Sequence, residues 1–172
     1  MKALLIIGEE KELTVQISYE DLGNFVSNLE DDESNTLIFQ TLARHPSARV
    51  RAYVASKDKL DEATVEILAN DLAGAVTNSL VRSDKARKCI TTEQLITMLQ
   101  RDIDTAESIA SNLETFAEAD GELIALKLAN CLDPCVRYAL ASNSRAPKKT
   151  LRFLVADSDP KVSLAAKKNL AN

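Results

Sequence analysis

Two thiols, Cys131 and Cys135, stand four positions apart. On an unbroken helix that spacing puts both on one face, where they could ligate a metal ion or form a redox pair. Asp133-Pro134 lies between them, however, and should break the helix. The remaining ligand types are Cys89 and a single histidine, His45, so three thiols and one imidazole are scattered along the chain. Zinc asks for about four nitrogen or sulfur ligands. No metal and no cofactor is therefore expected. The cysteines read first as buried structural side chains, small and apolar in behaviour; a redox pair is the alternative. His45 precedes a proline at a helix start, which suits a solvated or capping role. A catalytic histidine would need an acid or nucleophile placed beside it. The chain has no Gly-rich phosphate loop, no H-E-x-x-H and no G-x-S-x-G. No catalytic residue is assigned.

Arginine and tyrosine offer a different chemistry. Arg49, Arg51 and Tyr53 cluster in one segment, Arg137 and Tyr138 in another. Arg with Tyr is the composition of binding hot spots. The sharper reading is a partner-binding stripe of Arg51, Tyr53, Arg137 and Tyr138. The plainer one leaves the arginines solvated or paired with nearby Asp, and the tyrosines partly in the core. A stripe requires a fold that carries these distant segments onto one surface.

The chain has 172 residues, 45% apolar and 27% charged, which suits one soluble globular domain. Trp is absent, and Gly and Pro number four each. Ala and Leu carry the apolar content, which favours helices. The net charge is −5 and the pI about 5.0, so nonspecific nucleic-acid binding is disfavoured. An odd, small set of cysteines argues against a disulfide-stapled secreted domain. In MKALLIIGEEKE the apolar run Ala3 to Ile7 is too short for a signal core, and no run approaches the roughly 20 residues of a membrane span. A cytoplasmic location is the expectation.

Residues 1–35 form the first region. ALLIIG and LTVQIS have the β-branched content and, in the second, the alternation of strands. They predict a short hairpin turning near Gly8–Lys11, packed on helices; a poorly ordered arm is the alternative, and its edge could mediate self-association. Leu22, Phe25, Val26 and Leu29 then share a helix face, with Ser18 and Asp21 as a capping pair. EDDES at 30–34 is a charged break. Its acids contrast with a basic end formed by Lys148, Lys149, Arg152, Lys161, Lys167 and Lys168.

Residues 36–172 repeat. Val50, Val76, Thr105, Val136 and Val162 align as anchors at steps of 26, 29, 31 and 26. Four residues after each stands Val54, Leu80, Ile109, Leu140 or Ala166. Eight before four of them stands Leu42, Leu68, Leu128 or Leu154, and Leu99 takes that place in the middle unit. VRAYVASK, VRYALASN and TAESIASN share wording. A period near 30 with two helical pieces per unit predicts an α-solenoid, each unit burying its apolar stripe on its neighbours. Pro147 is expected at the first position of one helix, with Leu151, Leu154 and Val155 buried. Asp159-Pro160 and Asp133-Pro134 should open others, and Ser47 should cap the helix after His45-Pro46. Elsewhere caps are expected at Asp61, Thr91 with Gln94, Asp104 with Glu107, and Asp120.

The run ASNSRAPKKTLRFLVADSDPKV resembles the leucine-rich repeat variant, a short helical repeat related to the HEAT and armadillo group. Asn143, Pro147, Leu151, Leu154, Asp157, Asp159, Pro160 and Val162 carry the likeness. Leu128, Ala129, Asp133, Pro134, Val136 and Arg137 carry it again in the preceding unit, and LARHPSARVRAYVAS more loosely. The units at 64–90 and 91–118 depart from it, lacking Asp-Pro and Val-Arg at the anchor. The resemblance implies about five helix pairs in a right-handed superhelix and no shared catalytic activity. An iron–sulfur segment found in some members has no counterpart here. The expected function is a noncatalytic protein–protein interaction or scaffold module that binds a protein or peptide. The alternative is a HEAT-like nucleic-acid-binding or processing enzyme.

Overall fold

The computed structural model describes residues 3–6, 12–15, 18–116 and 120–171. Ala3–Ile6 (β1) and Glu12–Val15 (β2) pair antiparallel, with Ala3 opposite Val15 and Ile6 opposite Glu12. The expected turn near Gly8–Lys11 lies outside the described residues, as does any packing of this segment.

From Tyr19 onward the described chain is all-α. Its helices are α1 (Tyr19–Asn28), α2 (Thr36–Leu42), α3 (Ala48–Ala55), α4 (Glu62–Ala69), α5 (Gly74–Arg82) and α6 (Thr92–Arg101). They continue as α7 (Ile103–Ser111), α8 (Gly121–Ala129), α9 (Pro134–Ser142), α10 (Lys148–Leu154) and α11 (Pro160–Leu170). Each even-numbered helix packs on the odd one that follows: α2 on α3, α4 on α5, α6 on α7, α8 on α9, α10 on α11. The odd helices also pack in series, α1 on α3, then α3 on α5, and so on to α9 on α11. The anchors therefore recur at equivalent places, near the start of each odd helix from α3 to α11. Val50, Val76, Thr105, Val136 and Val162 are all 0% exposed, and so are Val54, Leu80, Ile109, Leu140 and Ala166. Burying one Val or Leu side chain contributes about 1.5–3 kcal/mol, so this double row is the main apolar seam. The two long steps have a local cause: 3₁₀ turns at Ala86–Lys88 and Leu113–Thr115 lengthen the links after α5 and α7.

Most of the expected helix starts hold. Ser18, Asp61, Asp120, Asp133 and Asp159 each accept a first-turn backbone N–H, and Thr91 with Gln94 forms a reciprocal capping box. Three details differ. Pro147 is the residue just before α10, not its first. The cap of α7 is Asp102, which accepts the Thr105 N–H, and not Asp104. Ser47 precedes α3 but its hydroxyl caps nothing; its own N–H donates to His45 Nδ1 at 3.1 Å. On α1, Val26 is fully buried while Phe25 is 44% exposed, so that face is narrower than the spacing implied. No helix among the described residues is long and apolar enough to cross a membrane.

Candidate interaction surface

Arg51 and Arg137, one position past their anchors, are spent inside the fold. The Arg137 Nε donates to Asp157 Oδ2 at 2.7 Å and its Nη2 to Oδ1 at 3.0 Å, while Nη1 reaches the carbonyls of Cys131 and Leu132 at 2.8 and 2.9 Å. Arg51 repeats the pattern on Asp71, at 2.5 and 2.9 Å, and on the carbonyls of His45 and Pro46, at 2.7 and 3.0 Å. Each fork thus ties the loop before its own helix to the next helix pair. The side chains of Arg137 and Asp157 are 13% and 6% exposed. The bidentate guanidinium of Arg137 holds the Asp157 carboxyl below its ordinary range. At Asp71 burial is the largest single influence and would raise the carboxyl; Arg51 together with the backbone N–H groups of Ala73 and Leu72 outweighs it, so the shift is downward.

The middle joint is built without arginine. Thr77 takes the Arg position, and its hydroxyl lies 3.1 Å from that of Thr105. Thr105 in turn donates to Asp102 Oδ2 at 2.6 Å. Asp102 rests directly against Gly74, where any Cβ would collide with its carboxylate. This explains why a threonine stands at the third anchor.

A second ladder runs at the C-terminal ends, seven positions past each anchor. Lys57 Nζ donates to the carbonyls of Ser27 and Leu29 at 3.1 and 2.7 Å. Asn143 Nδ2 donates to Ala110 O at 2.9 Å, and Asn169 Nδ2 to Ala141 O and Asn143 O at 3.0 and 2.7 Å. In each of these three the side chain closes the open carbonyls of the preceding odd helix. Ser83, the second unit's member, instead donates to Asp58 Oδ1 at 2.9 Å. Asn112 turns back on Ser108 O at 2.9 Å. The shared endings ASK at 55–57 and ASN at 141–143 supply two of the three rungs, while the ASN at 110–112 does not.

The two tyrosines of the expected stripe differ, Tyr138 being exposed and Tyr53 packing partly against the core. Tyr138 is 48% exposed. Tyr53 is half-buried; its ring lies over Gly23 of α1 and takes the Arg49 guanidinium at 5.9 Å from the centroid. The exposed arginine beside Tyr53 is therefore Arg49, which also stands 3.9 Å from Glu20. Positions one before and two, three and six after each anchor make up the outer face of the odd helices. Their side chains are mostly small or polar: Ala52, Ser56, Asn78, Ser79, Glu107, Ser111, Ser142 and Ala165 among them. Two grooves indent this face. One, about 340 Å³, lies between α5 and α7 and includes Asn78, Arg82, Asp104 and Glu107. The other, about 440 Å³, lies between α9 and α11 and includes Tyr138, Ser142, Lys161, Leu164 and Lys168. On the even-helix side, Leu126 and Phe153, 54% and 56% exposed, line a groove of about 360 Å³.

The remaining candidates resolve individually. His45 is buried, and its Nδ1 is engaged with Ser47. The cysteines are not core residues: Cys89 and Cys131 are half-buried and Cys135 is exposed. Asp133 pushes the Cys135 thiol up, with Glu107 and Asp159 adding to it. Among the described residues, no group of three or more His, Cys, Asp or Glu side chains could hold a metal ion. Compared with known proteins, the chain matches no family model, no curated protein and no solved structure.

Proposed function

We propose that this chain is a right-handed α-solenoid of the leucine-rich-repeat-variant and HEAT-like kind, working as a noncatalytic interaction module. Its partner is another protein or a peptide, taken up on the outer face of the odd helices. The observation that carries this reading is the serial packing of α1, α3, α5, α7, α9 and α11, which lays their outer positions side by side. Such stacking makes a broad surface rather than one deep pocket. That surface bears Tyr53 with Arg49 at one end and Tyr138 near the other, the residue types that anchor interfaces. Arg51 and Arg137 drop out of the binding set, because their guanidinium groups are committed to Asp71 and Asp157.

The test is selection of binders from a random peptide display library on the folded protein, followed by binding to Tyr53→Glu and Tyr138→Glu variants. Selected peptides should lose most of their affinity for at least one variant. Peptides that bind both variants as well as the wild type, and fail on Phe153→Glu, would move the site to the even helices and overturn the reading.

A further inference from the structure

Charge on the outer face of the odd helices changes sign along the row. Asp104 and Glu107 on α7 are exposed and pair with no cation within 4.0 Å among the described residues; Glu107 also acts with Asp133 on Cys135, and Arg82 lies on the far wall of the groove. Two helices along, Lys161 and Lys168 are exposed on α11 and pair with no carboxylate within 4.0 Å among the described residues. Seven positions apart, they stand two turns apart, about 10 Å along the axis. Leu164, 68% exposed, lies between them, and Tyr138 of α9 faces it across the groove.

We propose that this face takes an extended peptide of mixed charge. Its basic residue enters the acidic zone of α7, an apolar side chain covers Tyr138 and Leu164, and two acidic residues meet Lys161 and Lys168. The inference rests on the reading of this face as the partner site and names the partner's chemistry. The spacing follows from the helices. Neighbouring helix axes lie about 8–10 Å apart, so α7 and α11 are separated by about 20 Å, which an extended chain spans in about six residues. A nucleic-acid strand fits less well, because its regular negative charge would set phosphates against Asp104 and Glu107. A uniformly acidic or basic peptide meets the same conflict at one end. Local complementarity of this sort selects partner and register.

The experiment is fluorescence anisotropy with a labelled synthetic peptide carrying one lysine, a leucine about three residues on and two glutamates about six residues on. The comparison probes replace the lysine by glutamate, replace the glutamates by lysine, or are a labelled oligothymidylate. The mixed-charge peptide should bind about tenfold more tightly than each of them. Lys161→Glu with Lys168→Glu should weaken it about tenfold, and the all-lysine peptide should then regain that loss. Both lysines are exposed, so circular dichroism and the urea midpoint should not move. Equal binding of all peptides, tighter binding of oligothymidylate, or indifference to the α11 changes overturns the proposal. Tyr138→Ala separates the two levels. If it weakens every peptide alike, the face binds partners and only the charge order is wrong. If it weakens none, the face itself is not the site.

Discussion

Arg137 reaches twenty positions forward to grip Asp157 at 2.7 and 3.0 Å, and Arg51 reaches Asp71 over the same interval. These clasps join the first unit to the second and the fourth to the fifth. Arg137→Ala should cost about 3 kcal/mol in urea unfolding, because it leaves Asp157 buried without its partner and frees two carbonyls. Arg137→Met combined with Asp157→Leu should cost clearly less than the two single changes added together. A double mutant no better than that sum would mean the ion pair is not the unit of stability. Arg137→Glu is for the same reason a folding lesion, unsuited to probing partner binding.

Stability should fall with acid in two steps. Burial holds the His45 imidazole below its ordinary value of 6.5, and accepting the Ser47 N–H requires a bare Nδ1. The unfolded chain then protonates first, so stability falls as pH drops below about 6.5 toward the folded value. Asp157 and Asp71 are depressed, so their contribution is complete above about 4 and is lost as pH falls through their folded values. Urea midpoints measured from pH 8 to pH 3 check both steps. His45→Asn should abolish the first and leave the second.

The backward-reaching ladder is open to a near-isosteric test. Asn143 is 9% exposed, and its Nδ2 closes Ala110 O. Asn143→Asp keeps the Oδ1 that accepts the Arg145 N–H but removes this donor and places a charge beside Glu114. A loss of about 2 kcal/mol is expected from chemical denaturation. A variant as stable as the wild type would leave the ladder decorative.

Thr105→Val would give the third unit the anchor found in the others. It should nevertheless destabilise the protein by about 1 kcal/mol, since it removes the hydroxyl between Thr77 and Asp102. A rise in melting temperature on this change would sink the account of the middle joint.

Cys135 is exposed, yet Asp133 raises its thiol. Iodoacetamide should label it more slowly at pH 8 than it labels free cysteine, because the thiolate is the nucleophile. Asp133→Asn, which can still cap α9, should accelerate labelling. Unchanged rates would rule out Asp133 as the cause.

The repeat was legible because apolar side chains recur at fixed offsets, and every anchor and every fourth residue beyond it is buried. The cap of α7 was legible too: Asp102 stands three before Thr105, as Asp133 and Asp159 stand three before Val136 and Val162. Attention to Asp104 with Glu107 missed it. Two rungs of the ladder, Lys57 and Asn143, were visible only as shared wording, and Asn169 not at all, since a terminal Asn or Lys shows its purpose once the preceding helix is beside it. The arginines misled for a physical reason. A guanidinium suits a partner's carboxylate and an internal one equally, and the deciding residue lay twenty positions away. The cysteines misled because their place in the fold, just past a helix end for Cys89 and Cys131 and in the first turn of α9 for Cys135, decides exposure, and not their chemistry.

The backward ladder also makes three of the joints one-sided, each sealed by the later helix. Lys57 completes α1, Asn143 completes α7 and Asn169 completes α9. The last carbonyls of these three odd helices therefore find their side-chain partners only when the next odd helix has docked alongside. A chain cut short after any one of them would hand those carbonyls to water.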